Sequence, residues 1–269
     1  MKNETGILKD KVAVIFGAGG AIGSTVARHF AAEGAVLFLS GRNLSSVKIV
    51  GDEIRKTGYP CTESQVNAVK EEEVNQYMEN VYQQAGRIDI VFNAIGSRMD
   101  GALQVMPSTE TPLEVFLMYL NNMVLSQFLT ARVAAKYMSR NKSGSVVLMS
   151  ATPSRGVAPF LPGASTGHAA VDGLARCLAT EWGMMGIRVN AVMSGGMQET
   201  PNIQEVLAGM ARVAGAPVDA LKQQVIEKSI LRRTTTLKET AQVITFLASD
   251  KASSITGAII NASCGEVLD

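Results

Sequence analysis

Two periods alternate along this chain. Short, strongly apolar, β-branched runs are separated by longer stretches with helical spacing. Residues 12–16 form an unbroken apolar run, the mark of a strand buried on both faces. Residues 21–33 follow with helical spacing, and Gly34 supplies a C-terminal cap. The pattern then repeats: a strand at 36–39, a helix at 43–56, a weaker strand at 61–66 and a polar helix to about 84. A fourth strand covers 88–92. A long helix starts after Pro112, which suits a first helical position, and runs to about 140. A fifth strand at 144–149, a long helix at 167–184 and a sixth strand at 187–192 come next. A last helix at 238–249 leads into a seventh strand at 258–260.

Apolar strands separated by helices predict an α/β protein. The expected architecture is a Rossmann-type, doubly wound parallel sheet of seven strands with helices on both faces. Crossovers should be right-handed. No linker composition and no repeat divides the chain, so residues 1–269 read as one domain. The stretch 194–236, rich in Met, Ala and Gly, is an insertion after strand six. In an open α/β sheet that position lies over the ligand crevice, which makes it a candidate substrate loop.

Composition narrows the partners. Net charge is +1, from 25 basic and 24 acidic residues. This gives no electrostatic case for nucleic acid or an anionic membrane. Arg28, Glu33, Arg42 and Lys48 interrupt the apolar stretches, so no membrane span is expected. The N-terminal residues lack the apolar core of a signal peptide. Cys61, Cys177 and Cys264 show neither metal spacing nor a disulfide framework, which suits a reducing cytoplasm.

The first candidate chemistry lies where strand one meets helix one. Gly17-Ala18-Gly19-Gly20-Ala21-Ile22-Gly23 lets the backbone turn tightly and approach a ligand. The helix start adds free N–H groups and a positive dipole end, which favour a pyrophosphate. The second strand ends in Gly41-Arg42-Asn43. A carboxylate there would bind the adenine ribose hydroxyls and select NAD(H). Glycine followed by a guanidinium suits a 2′-phosphate instead, so NADP(H) is the expected cofactor and NAD(H) the alternative.

With these segments in place, the chain resembles the short-chain dehydrogenase/reductase family from about residue 8 to 265. Its glycine loop is similar to that family's Thr-Gly-x-x-x-Gly-x-Gly. Asn93-Ala94-Ile95-Gly96 is similar to Asn-Asn-Ala-Gly after strand four. Asn67, followed by Ala68, stands where the family carries an adenine-contacting aspartate. Ser194-Gly195 replaces Pro-Gly after strand six. The resemblance implies a nicotinamide cofactor held by these segments, a small-molecule substrate and a homo-oligomer, dimer or tetramer.

The resemblance also implies a catalytic Asn, Ser, Tyr and Lys, and here the chain departs. The segment beginning His168-Ala169-Ala170 fixes the helix register, with His168 at the lysine and Ala164 at the tyrosine. Ala151 takes the serine position, between Ser150 and Thr152. The asparagine falls near Met123, just after Asn121 and Asn122. No tyrosine follows Tyr137. Ser150, Thr152, Ser165 and Thr166 are candidates to polarise a carbonyl. His168, with an ordinary pKa of about 6.5, is a candidate proton carrier or a ligand for the nicotinamide ribose. Tyr119 reads as core and His29 as structural. Ser150, His168 and Asp172 do not make a hydrolase triad, because the last two are one helical turn apart and no nucleophile elbow is present. The Glu71-Glu72-Glu73 run suits a helix start, and no metal site is expected.

The expected function is an NADP(H)-dependent oxidoreductase acting on a small carbonyl, alcohol or activated alkene with an atypical proton-transfer apparatus. The alternative is a catalytically silent nucleotide-binding protein that acts as a sensor or partner subunit.

Overall fold

Seven strands hydrogen-bond in the order β3-β2-β1-β4-β5-β6-β7, and every pairing is parallel. The computed structural model describes residues 6–96, 105–156 and 158–268. The strands are β1 Val12–Phe16, β2 Val36–Gly41, β3 Cys61–Gln65, β4 Ile90–Asn93, β5 Gly144–Ala151, β6 Ile187–Ser194 and β7 Ile259–Ala262. Strand β1 pairs with both β2 and β4, so the chain reverses its direction of travel across the sheet there. Such a switch point opens a crevice at the carboxyl ends of the strands.

Alternate residues of each strand feed two cores. Val12, Val14 and Phe16 face one side with Val146 and Leu148. That side is covered by α3 (Glu71–Ala85), α5 (Ser126–Asn141) and α6 (Pro162–Trp182). Ala13 and Ile15 face the other with Leu37, Leu39 and Phe92. There α1 (Ala21–Ala32), α2 (Leu44–Lys56) and α9 (Leu237–Ala248) close the layer. Each large side chain fully buried in this way contributes roughly 1.5–3 kcal/mol. This is the Rossmann-type fold expected from the apolar runs.

Three boundaries differ from the pattern-based reading in ways that shape the site. Helix α6 starts at Pro162, well before residue 167. The Gly-, Ser- and Thr-rich residues 163–167 are weak helix formers, yet Pro162 at the first turn and packing against α4 (Leu113–Tyr119) carry them into the helix. The long helix after Pro112 is not uniform: α4 passes through a π-helical turn, Leu120–Leu125, before α5 begins. Strands β5 and β6 run on to Ala151 and Ser194, which brings both ends to the crevice. Between β6 and α9 stand α7 (Pro201–Ala214) and α8 (Val218–Lys228), started respectively by a Thr200 side-chain cap and by Pro217.

Candidate active site

A cleft of about 1210 Å³ lies over the carboxyl ends of the strands. Its floor is the turn between β1 and α1. Gly17 holds a left-handed φ of 73°, and the Gly20 N–H donates to the Gly17 carbonyl at 3.1 Å. Gly20 is the N-cap of α1 and supplies no side-chain cap, so the helix start opens directly on the cleft with Ala21 and Ile22. Gly17, Gly19 and Gly20 line this floor. Gly23 does not. A Cβ on Gly23 would meet the Gly17 carbonyl oxygen at 2.2 Å, so this glycine lets the helix pack onto its own turn.

One wall continues from the end of β2. Gly41, Arg42 and Asn43 line it. A side chain at Gly41 would press on Val47, since a Cβ would lie 3.0 Å from its Cγ2. The Asn43 carboxamide caps α2 by accepting from the Ser45 and Ser46 N–H groups. Arg42 is exposed beside them, its carbonyl held by the Gln65 side chain at 3.0 Å. Asn67 and Ala68 follow along the same wall, after β3.

After β4, Ala94, Ile95 and Gly96 line the cleft, but Asn93 does not. Its side chain is fully buried. It donates to Thr130 Oγ1 at 3.0 Å and accepts from the Ile95 N–H at 2.8 Å. Asn93 therefore braces the Ala94–Gly96 loop from outside the cleft lining.

The opposite wall carries the candidate chemistry. Ala164 and His168 lie one turn apart on α6, and both face the cleft. Burial pushes the His168 imidazole down to about 4, and its Nδ1 has no partner among the described residues. The ring is neutral at physiological pH. Ser150 is fully buried at the end of β5, and its hydroxyl donates to the His168 carbonyl at 3.4 Å. That hydrogen bond ties its hydroxyl to α6, while Ser150 itself lines the cleft. Ser165 and Thr166 lie on α6 outside the cleft lining. Thr152 is placed differently: its hydroxyl donates to the Glu266 carboxylate at 3.0 Å inside the cleft. Ser194 and Gly195 line the end of β6.

Three dimensions single out Asn122 from its neighbour and bring in a second polar group, Glu266. Asn122 sits in the π-helical turn, buried, with its Nδ2 lacking a partner among the described residues. It lines the cleft, whereas Asn121 is exposed and Met123 packs into the core under α7. The pair of asparagines in an apolar helix was the available signal; the π turn decides which one faces inward. Glu266 enters from beyond β7, and no local pattern marks it. The roof is apolar, with Val206, Leu207 and Met210 of α7 and Leu221 and Val225 of α8. No tyrosine among the described residues lines the cleft. No cluster of three or more potential metal ligands occurs among them either, and none of their helices is long and apolar enough to cross a membrane.

A parallel sheet in this order, with a glycine turn at its switch point, defines a dinucleotide-binding type of protein. The chain belongs to the short-chain dehydrogenase/reductase family: the family model described as enoyl-(acyl carrier protein) reductase matches residues 17–266. It is 28% identical over 265 residues to the 1,6-dihydroxycyclohexa-2,4-diene-1-carboxylate dehydrogenase of Acinetobacter baylyi, covering 98% of this chain and 99% of that one. It is 27% identical over 263 residues to a peroxisomal 2,4-dienoyl-CoA reductase of Danio rerio, covering 97% and 83%. Among solved structures, an NAD+-bound xylitol dehydrogenase superposes with a TM-score of 0.89 at 23% identity, over 98% of this chain and all of that one. The protein is an oxidoreductase of this family.

Proposed function

We propose that this chain is an NADP(H)-dependent oxidoreductase that interconverts a small carbonyl or activated alkene with its reduced form. Ala164 and His168 stand where the family carries its tyrosine and lysine. The observation that carries this reading is the cleft itself. It joins an uncapped helix start, an exposed Arg42 and a set of hydrogen-bonding groups in one continuous space.

The residues present fit a dinucleotide. The turn at Gly17, Gly19, Gly20, Ala21 and Ile22 would hold the pyrophosphate by backbone N–H groups and the α1 dipole. Arg42 and the polar start of α2 would hold a 2′-phosphate. Asn67 and Ala68 would flank the adenine. His168, neutral, would hydrogen-bond the nicotinamide ribose and not deliver a proton at neutral pH. Ser194 and Gly195 would meet the nicotinamide end. The bound nicotinamide supplies hydride transfer; the protein supplies orientation, exclusion of water and a route for the proton.

The apolar roof of α7 and α8 suits a substrate with an apolar body, with 194–236 acting as the substrate loop of a single domain. The named relatives act on a diene diol and a dienoyl thioester, which supports both the alcohol–carbonyl and the alkene forms of the reaction. Leu113, Leu117 and Leu125 are exposed along the α4 and π-turn surface, which supports a homo-oligomer. The separated free cysteines favour a reducing cytoplasm.

The absence of a tyrosine from the cleft lining among the described residues supports a second reading, a catalytically silent nucleotide-binding protein. One assay separates the two. NADPH oxidation is followed with a panel of ketones, conjugated enones and enoyl thioesters. Turnover of any member supports the oxidoreductase. Nucleotide binding with no turnover across the panel supports the silent protein.

A further inference from the structure

Arg42, His168, Lys228 and Glu266 are the titratable side chains lining the cleft among the described residues, so Glu266 is its one carboxylate. Its place is built by the fold of the tail. Cys264 and Gly265 both adopt left-handed conformations, with φ of 57° and 78°, and reverse the chain after β7. The Cys264 carbonyl accepts from the Ser229 hydroxyl at 2.7 Å and from the Leu231 N–H at 3.1 Å. Beyond Glu266, the Asn261 side chain donates to the Val267 carbonyl at 2.8 Å. These bonds turn the Glu266 side chain back over the ends of β5 and β6.

There the carboxylate meets two donors. Oε1 accepts from the Thr152 hydroxyl at 3.0 Å, and Oε2 accepts from the Gly196 N–H at 3.3 Å. Gly195 leaves the room: a Cβ on it would lie 2.9 Å from Oε2. No cation pairs with Glu266 among the described residues. The Thr152 hydroxyl gives its proton to the carboxylate, so its lone pairs are left to accept one from a ligand.

The geometry points to a Thr152–Glu266 proton relay that replaces the absent tyrosine. The inference rests on the oxidoreductase reading above. In the oxidative direction, the substrate hydroxyl donates to Thr152 Oγ1. As the C–H bond breaks, its electron pair leaves as hydride to the oxidised nicotinamide nucleotide, and the carbonyl forms. The substrate O–H proton moves to Thr152 Oγ1, and the threonine's own proton moves to Glu266, whose carboxylate becomes a carboxylic acid. One hydride and one proton leave the alcohol, and both are accounted for. Reduction runs the same steps backwards. Thr152 is the catalytic residue, and Glu266 is the positioning and proton-accepting group behind it.

The test uses the full-length protein with NADP+ and cis-1,2-cyclohexanediol as the probe, comparing wild type, Glu266→Gln and Glu266→Asp. Calorimetry first measures NADP+ binding in all three. The relay predicts that NADP+ affinity falls far less than kcat, because Glu266 is not part of the Gly17–Ile22 floor. It predicts that kcat for diol oxidation falls roughly 10²–10⁴-fold in Glu266→Gln, the range of a lost acid–base step, and recovers in part in Glu266→Asp. Wild-type kcat in Glu266→Gln overturns the relay. So does an equal loss in NADP+ affinity or melting temperature, which would mark a structural role. NADP+ binding without diol oxidation by the wild type also overturns it, while no nucleotide binding at all overturns the parent reading.

Discussion

A Cβ on Gly23 would lie 2.2 Å from the carbonyl oxygen of Gly17. The first turn of α1 is thus packed directly onto the loop that would hold a pyrophosphate. A Gly23→Ala variant must push the two apart, at the ~1–3 kcal/mol typical of overpacking. Its melting temperature should fall, and its nucleotide dissociation constant should rise at least tenfold. Gly173 provides the control, because its Cβ would meet nothing within 4 Å in the middle of α6. Gly173→Ala should leave binding unchanged and raise stability by up to ~1 kcal/mol.

Arg42 should govern the choice between nucleotides. It is exposed and lines the cleft beside the start of α2. An Arg42→Ala variant should bind NADPH roughly tenfold more weakly, about the 1.4 kcal/mol expected of one solvent-facing charge-assisted contact. NADH affinity should stay within about twofold. The NADPH loss should shrink as salt is raised, because the contact is screened. Equal losses for both nucleotides would show that Arg42 acts on something other than the 2′-phosphate.

His168 should make stability depend on pH. Its folded-state pKa, about 4, lies below the ordinary value of 6.5 because burial disfavours the imidazolium. Between those values the unfolded chain binds more protons than the folded one. Stability therefore rises with pH across this window and is lost as pH falls through it, by at most ~1.4 kcal/mol per pH unit. Thermal melts from pH 4 to 6.5 should show a shallower slope in His168→Gln than in wild type. Some slope should remain, since burial and Lys238 also lower His29. An unchanged slope would show that the His168 ring is hydrated.

The sequence disclosed the fold more fully than the site. Strand β1 and its glycine turn are contiguous, so five apolar residues and a glycine cluster were enough to place them. Signature residues are less transparent. Gly23 and Asn93 belong to nucleotide-binding patterns, yet one packs a helix and the other braces a loop, because a motif mixes ligand contacts with the supports that hold them. Ser150 and Thr152 are two positions apart, but one bonds to α6 and the other faces Glu266. That partner is 114 residues away, brought in by a chain reversal at Cys264 and Gly265. Long-range placement of this kind leaves no periodicity to read.

The fold also separates Asn122, which lines the cleft, from the exposed Asn121. Its Nδ2 is buried and faces the cleft from a π-helical turn, a feature often found at functional sites. In Asn122→Ala, removing an Nδ2 that is buried without a partner among the described residues should leave the melting temperature unchanged or higher. If the amide serves the reaction, kcat should fall roughly 10-fold or more, the effect of losing about one hydrogen bond to a reacting group. A fall in stability with unchanged kcat would assign Asn122 to packing.

The central claim is that this cleft binds a nicotinamide dinucleotide and discriminates by its 2′-phosphate. Calorimetric titration of the wild-type protein with NADPH and then NADH tests it most directly. Both should bind at one site per chain, with NADPH at least tenfold tighter. Tighter binding of NADH would contradict the role given to Arg42, and no binding of either would contradict the assignment of the cleft.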